Sequence, residues 1–65
     1  MSVRVYRIRS KRDRQWAALS GLGQWYFTER IEHAEARASY CGAEVLVDAL
    51  ERNGFGELEI VEGTR

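Results

Sequence analysis

A chain of 65 residues, 45% hydrophobic and 31% charged, has room for one domain with a small core, and that domain buries only about 60% of its unfolded surface. One cysteine excludes an internal disulfide, and one histidine beside it is too little for a four-ligand zinc site. The formal net charge of zero hides a division: residues 1–14 carry six basic side chains against Asp13 alone, and residues 15–65 carry four arginines against nine carboxylates.

The opening Met1-Ser2-Val3-Arg4 alternates apolar and basic residues and lacks the apolar block of a signal peptide. Val3 to Arg9 reads as a strand with apolar material on both sides, Val3 and Val5 on one face and Tyr6 and Ile8 on the other. The polar run Ser10-Lys11-Arg12-Asp13-Arg14 is a hairpin turn, and Gln15-Trp16-Ala17-Ala18-Leu19-Ser20 is the returning strand. Gly21-Leu22-Gly23 makes a second turn, because glycine tolerates positive φ, and Gln24-Trp25-Tyr26-Phe27 is a short third strand.

Thr28 then reads as a helix N-cap, with Glu29 favoured by the helix dipole behind it. Ile31, Ala34, Ala38 and Cys41 recur at the spacing of one helical face; Ala43, Leu46, Val47 and Leu50 recur at the same spacing on another. At about 100° per residue the two stripes centre on nearly opposed sides. A break at Cys41-Gly42 resolves the conflict, so two helices are expected, over about 28–40 and 43–53. Asn53-Gly54 ends the second, with Phe55 supplying the apolar contact of such a cap. Glu57-Leu58-Glu59-Ile60-Val61 is the last strand. The competing reading of 44–62 is a hairpin turning at Asn53-Gly54. The expected fold is α+β, a small antiparallel sheet of three to four strands packed against two short helices in the order β-β-(β)-α-α-β. Its expected core is Tyr6, Ile8, Trp16, Leu19, Trp25, Phe27, Ile31, Ala34, Ala38, Leu46, Val47, Leu50, Leu58 and Ile60.

Little in this chain points to catalysis or to a cofactor. His33 falls opposite the first stripe with no second candidate at ligand spacing, and Cys41 falls on the stripe, where cysteine acts as a small hydrophobe. General acid–base work needs a desolvated carboxylate in a cleft, and a domain of this size has little interior to spare. Gly21-Leu22-Gly23 lacks the lysine and helix start of a phosphate loop. The chain reads as a non-enzyme without cofactor or metal.

Two charged features remain. Glu44, Asp48 and Glu51 form one row facing away from Leu46 and Leu50, continued by Glu57 and Glu59 on the last strand; such a row suits the basic surface of a larger protein complex. The basic hairpin at residues 4–14, with Lys11, Arg12 and Arg14 at its tip and Trp16 beside it, offers the alternative of nucleic-acid binding by phosphate contacts and stacking. The strand arginines Arg4, Arg7 and Arg9 also have a plain structural use, pairing with Glu57, Glu59 or Glu62 across the sheet.

Trp25-Tyr26-Phe27 running into Thr28 and an alanine-spaced helix (Ala34, Ala38) is similar to small bacterial and phage β-β-α-β domains of unknown function. In size, lack of catalytic residues and acidic helical face, the whole chain resembles the anti-CRISPR proteins. These are small phage or mobile-element proteins that bind a CRISPR effector complex, often over its basic nucleic-acid channel. The resemblance implies a non-enzymatic inhibitor, a monomer or weak homodimer, in the cytoplasm of a bacterial host and not on a membrane. The basic hairpin departs from a pure DNA mimic, which is acidic throughout.

Overall fold

The computed structural model describes residues 2–65; Met1, with which the sequence opens, lies outside the described residues. The polar run after Ser10 does close a hairpin, between β1 (Arg4–Ser10) and β2 (Trp16–Leu19). Ser10 organises its tip. The Ser10 N–H donates to the Gln15 carbonyl at 2.8 Å, its carbonyl accepts from the Arg14 N–H at 2.9 Å, and its hydroxyl accepts from the Asp13 N–H at 3.3 Å. The glycine turn leads into β3 (Trp25–Thr28), which pairs with β2 from Trp16↔Thr28 to Leu19↔Trp25.

A single turn of 3-10 helix at Ile31–His33 follows, then β4 (Ala36–Arg37), α1 (Tyr40–Arg52) and β5 (Leu58–Thr64). The fold is α+β, a five-stranded antiparallel sheet with one α-helix. β5 pairs with β1 in unbroken register from Arg4↔Thr64 to Ser10↔Leu58. The other edge of β1 is shared. β2 holds it at Arg9↔Trp16, and β4 holds it at Arg7↔Ala36 and Tyr6↔Arg37.

The expected helix over 28–40 does not form. Its apolar stripe is thin, since alanines bury little surface. Against it stands a backbone demand: after Trp16, β2 leaves β1, and an unpaired buried backbone is costly. The Glu35 N–H donates to the Ala17 carbonyl at 3.0 Å, and Ala36 and Arg37 take the vacated edge of β1. Thr28 caps no helix; its hydroxyl accepts from the Arg30 N–H at 3.1 Å, a local turn.

The break expected at Gly42 is also absent. Ser39 is the N-cap of α1, and its hydroxyl accepts from the Gly42 N–H at 3.1 Å. A Cβ on Gly42 would sit 3.0 Å from that oxygen, so the glycine makes room for the cap inside the first helical turn. The hairpin reading of 44–62 falls with the helix in place. The C-terminus follows expectation: Gly54 takes φ +86°, its N–H donates to Glu51, and the Phe55 N–H reaches back to Leu50, the paired bonds of a Schellman motif.

Ile8, Ala17, Leu50 and Leu58 form the buried centre, with Trp25, Phe27, Leu46, Val47 and Phe55 packed against it. Phe27 and Phe55 meet edge to face at 6.0 Å, which ties the helix cap to β3. Val5 and Ile8 are both buried and point to opposite faces of β1, so apolar material does lie on both sides. Consecutive Ala17 and Ala18 are buried too, which covers β2 on both faces. Several expected core residues are not interior: Leu19 and Ile31 are 41% and 45% exposed, and Ala38 is exposed. Cys41, expected on a buried stripe, is exposed: the helix that was to carry that stripe does not form, and in the first turn of α1 Cys41 lies off the Ala43–Leu50 stripe.

Candidate protein-binding groove

α1 lies across one face of the β1–β5 pair. Its inner stripe is the expected one, with Ala43 and Leu50 buried and Leu46 and Val47 half-buried. Tyr40 packs edge to face on Tyr6 at 5.8 Å and anchors the first turn. Between α1 and β5 runs an open groove of about 320 Å³. Tyr40, Val47, Leu58 and Ile60 give it apolar walls, and Glu44, Asp48 and Glu51 line it from the helix. The three helical carboxylates of the sequence reading therefore share one groove. Periodicity along α1 placed them; the apolar surface beside them appears only when β5 docks.

Their engagements differ. Glu44 has no hydrogen-bond or ion-pair partner among the described residues. Asp48 meets Arg52 at 3.0 Å one helical turn on, a solvent-exposed pair of small energetic weight. Glu51 accepts from the Leu58 N–H at 3.1 Å, which fixes the start of β5 against the helix. Glu59 also borders the groove, but its carboxylate turns to the opposite sheet face, where one oxygen lies 2.7 Å from both Nε and Nη2 of Arg9. Glu57 is exposed at the entry to β5. The proposed continuation of the acidic row is thus spent in part on the sheet.

The strand arginines answer the structural reading in two cases of three. Arg9 pairs with Glu59, directly opposite in register, and Arg4 with Glu62 at 2.8 Å. Arg7 has no carboxylate among the described residues; its guanidinium lies over Gly63, and its buried Nε lacks a hydrogen-bond partner. A side chain at position 63 would meet Nη1 at 3.0 Å, so the glycine leaves the arginine its path.

Lys11, Arg12 and Arg14 are exposed at the hairpin tip, unpaired among the described residues, with Arg14 in the left-handed region at φ 59°. Lys11 and Arg12 border a hollow of about 590 Å³ facing Phe55, but Asp13 and Glu57 line it as well, so its charge is mixed. Trp16 is half-buried under Arg9, whose guanidinium carbon lies 5.5 Å from the ring centroid. One stacking face of that indole is occupied by a cation that Glu59 already holds. His33 is exposed, as expected.

No group of three or more His, Cys, Asp and Glu side chains among the described residues is placed to hold a metal ion, and no described helix is long and apolar enough to cross a membrane. No protein-family model matches the chain, and no curated protein or solved structure is significantly similar to it.

Proposed function

We propose that this chain is a non-enzymatic protein-binding inhibitor, and that its target is a nucleic-acid-handling effector complex of the CRISPR–Cas kind. What supports the reading is the α1–β5 groove, where Glu44, Asp48 and Glu51 stand beside apolar Tyr40, Val47 and Ile60. Lysine and arginine side chains match such a lining twice over, by their aliphatic stems and their charged heads. A channel built to neutralise phosphates is rich in both. Opposite fields speed encounter and set orientation, which suits an inhibitor that must reach its target before nucleic acid does.

A second reading, a nucleic-acid-binding module, draws on the unpaired tip cations Lys11, Arg12 and Arg14. Its stacking residue Trp16 already carries the Arg9 guanidinium over one face. The deciding experiment is inhibition of DNA cleavage by purified CRISPR effector complexes. The wild-type protein inhibits; Glu44→Lys with Asp48→Lys abolishes inhibition; reversing Lys11, Arg12 and Arg14 to glutamate leaves it. Glu51 is spared in this test because its carboxylate holds Leu58. Loss of activity in the tip variant alone, together with salt-steep binding to DNA, transfers the assignment to the nucleic-acid module.

A further inference from the structure

The outer edge of β5 has a backbone phase that the sheet bonds determine. Val3 and Arg65 exchange both N–H···O bonds, at 3.2 and 2.8 Å, and the Lys11 N–H donates to Glu57. In an antiparallel pair such bonded residues alternate along the strand. With the register unbroken, Glu59, Val61 and Gly63 therefore turn their backbone groups to β1. Leu58, Ile60, Glu62 and Thr64 turn theirs outward. Glu51 takes the Leu58 N–H. The N–H and C=O groups of Ile60, Glu62 and Thr64 have no partner among the described residues, because β5 pairs with β1 alone. No proline and no bulge interrupts this edge, two of the common devices that keep an edge strand from pairing.

This open edge borders the acidic groove. We propose that β5 receives an extended, basic segment of the partner protein as a sixth strand, an inference that rests on the groove being the binding face. Strand addition supplies backbone bonds for affinity and alternate side chains for specificity. On an added strand, every second side chain points to the α1 side of the sheet. There it enters the groove lined by Ile60 and Val47 and by the Glu44 and Asp48 carboxylates, apolar and anionic groups that suit the stem and head of a lysine or arginine side chain. Among the described residues Lys11 is the one cation lining the groove, and it sits with Glu59 at the Leu58 end, away from the free groups of Glu62 and Thr64. A second copy of this chain is a poor occupant: its β5 carries glutamates and no lysine or arginine, and pairing β5 with itself brings two acidic helices together.

The test uses the whole chain and an acetylated, amidated octapeptide of alternating valine and lysine, followed by amide chemical shifts and titration calorimetry. Binding is expected, with the largest shifts at Ile60, Glu62 and Thr64. Methylating alternate peptide nitrogens on the side that bonds β5 is expected to weaken binding at least tenfold, with the wild-type protein unchanged. Glu62→Pro removes an outward N–H while leaving the bonds to β1, as an edge strand tolerates, and is expected to match that loss. Glu44→Lys with Asp48→Lys weakens the unmethylated peptide in a salt-dependent way. Equal affinity for methylated and plain peptide overturns strand addition and leaves the acidic groove standing. No binding at millimolar peptide, beside retained inhibition of the effector complex, overturns it as well. Concentration-dependent dimerisation through the same amides overturns the basic partner in favour of a second copy.

Discussion

Truncating apolar side chains along α1 tests how the helix sits on the sheet, because three positions within two turns differ sharply in burial. Leu50 is 3% exposed against Ile8, Ala17 and Leu58; Leu46 is half-buried; Val45 is 71% exposed. Leu50→Ala loses the transfer energy of its removed carbons and leaves a cavity between α1 and the sheet that cannot easily close, a cost of about 3–4 kcal/mol. Leu46→Ala gives up part of that burial and leaves a site that solvent can fill, so about half the cost is expected. Val45→Ala changes stability by less than about 0.5 kcal/mol, as for other exposed positions. At about 0.05–0.15 kcal/mol per residue, a chain of 65 residues has about 3–10 kcal/mol in all. Leu50→Ala therefore removes at least about 30% of the total and leaves a measurable unfolded fraction at the low end. Urea denaturation followed by far-UV circular dichroism reads the series, with slopes compared to check that the transition stays two-state. Equal midpoints for Leu50→Ala and Val45→Ala, or a larger loss at Leu46 than at Leu50, would refute this packing.

The two helix ends give further tests by the same measurement. Ser39→Ala loses the hydroxyl that accepts from Gly42 and costs about 1 kcal/mol, whereas Thr28→Ala, which removes only a turn contact, costs distinctly less. The reverse order places a helix start at Thr28 after all. Gly54→Ala forces a side chain into φ +86° and costs about 1–2 kcal/mol. Gly42→Ala carries no such strain; its gain in helix propensity is offset by pressure on the Ser39 hydroxyl, so its net effect stays within about 1 kcal/mol. A loss at Gly42 as large as that at Gly54 contradicts a helix running through position 42.

The two charged candidates changed character when the chain folded. Arg4 and Arg9 belong to the sheet through Glu62 and Glu59, and what remains of the basic segment is its tip, with Arg7 laid across Gly63. The acidic row lost Glu59 to the other face and Glu51 to the Leu58 N–H, but kept Glu44 and Asp48 beside an apolar wall that forms only where β5 brings Leu58 and Ile60 to Val47. Specific recognition needs that mixture more than it needs charge alone, because carboxylates on a bare helix surface discriminate poorly among cations.

Elements whose causes lie within a few residues of one another were legible in the chain. The Ser10–Arg14 turn, the glycine turn before β3, the alternation of β5, the Ala43–Leu50 stripe and the cap at Asn53-Gly54 all follow from local hydrogen bonding and periodicity; each is present, although β5 runs on to Thr64 past the expected end at Val61 and α1 starts at Tyr40 rather than at 43. The row of Glu44, Asp48 and Glu51 follows from the same helical phase. Residues 29–38 lie beyond that reach. Their composition favours a helix, but β2 parts from β1 after Trp16, and the edge so vacated takes Ala36 and Arg37 as a strand. The pairing of Glu59 with Arg9, fifty residues away, the apolar wall of the groove and the open edge of β5 come from the same source. Strand neighbours are chosen by backbone groups, which every residue carries alike, so only the closed tertiary structure decides which of them remain to be satisfied.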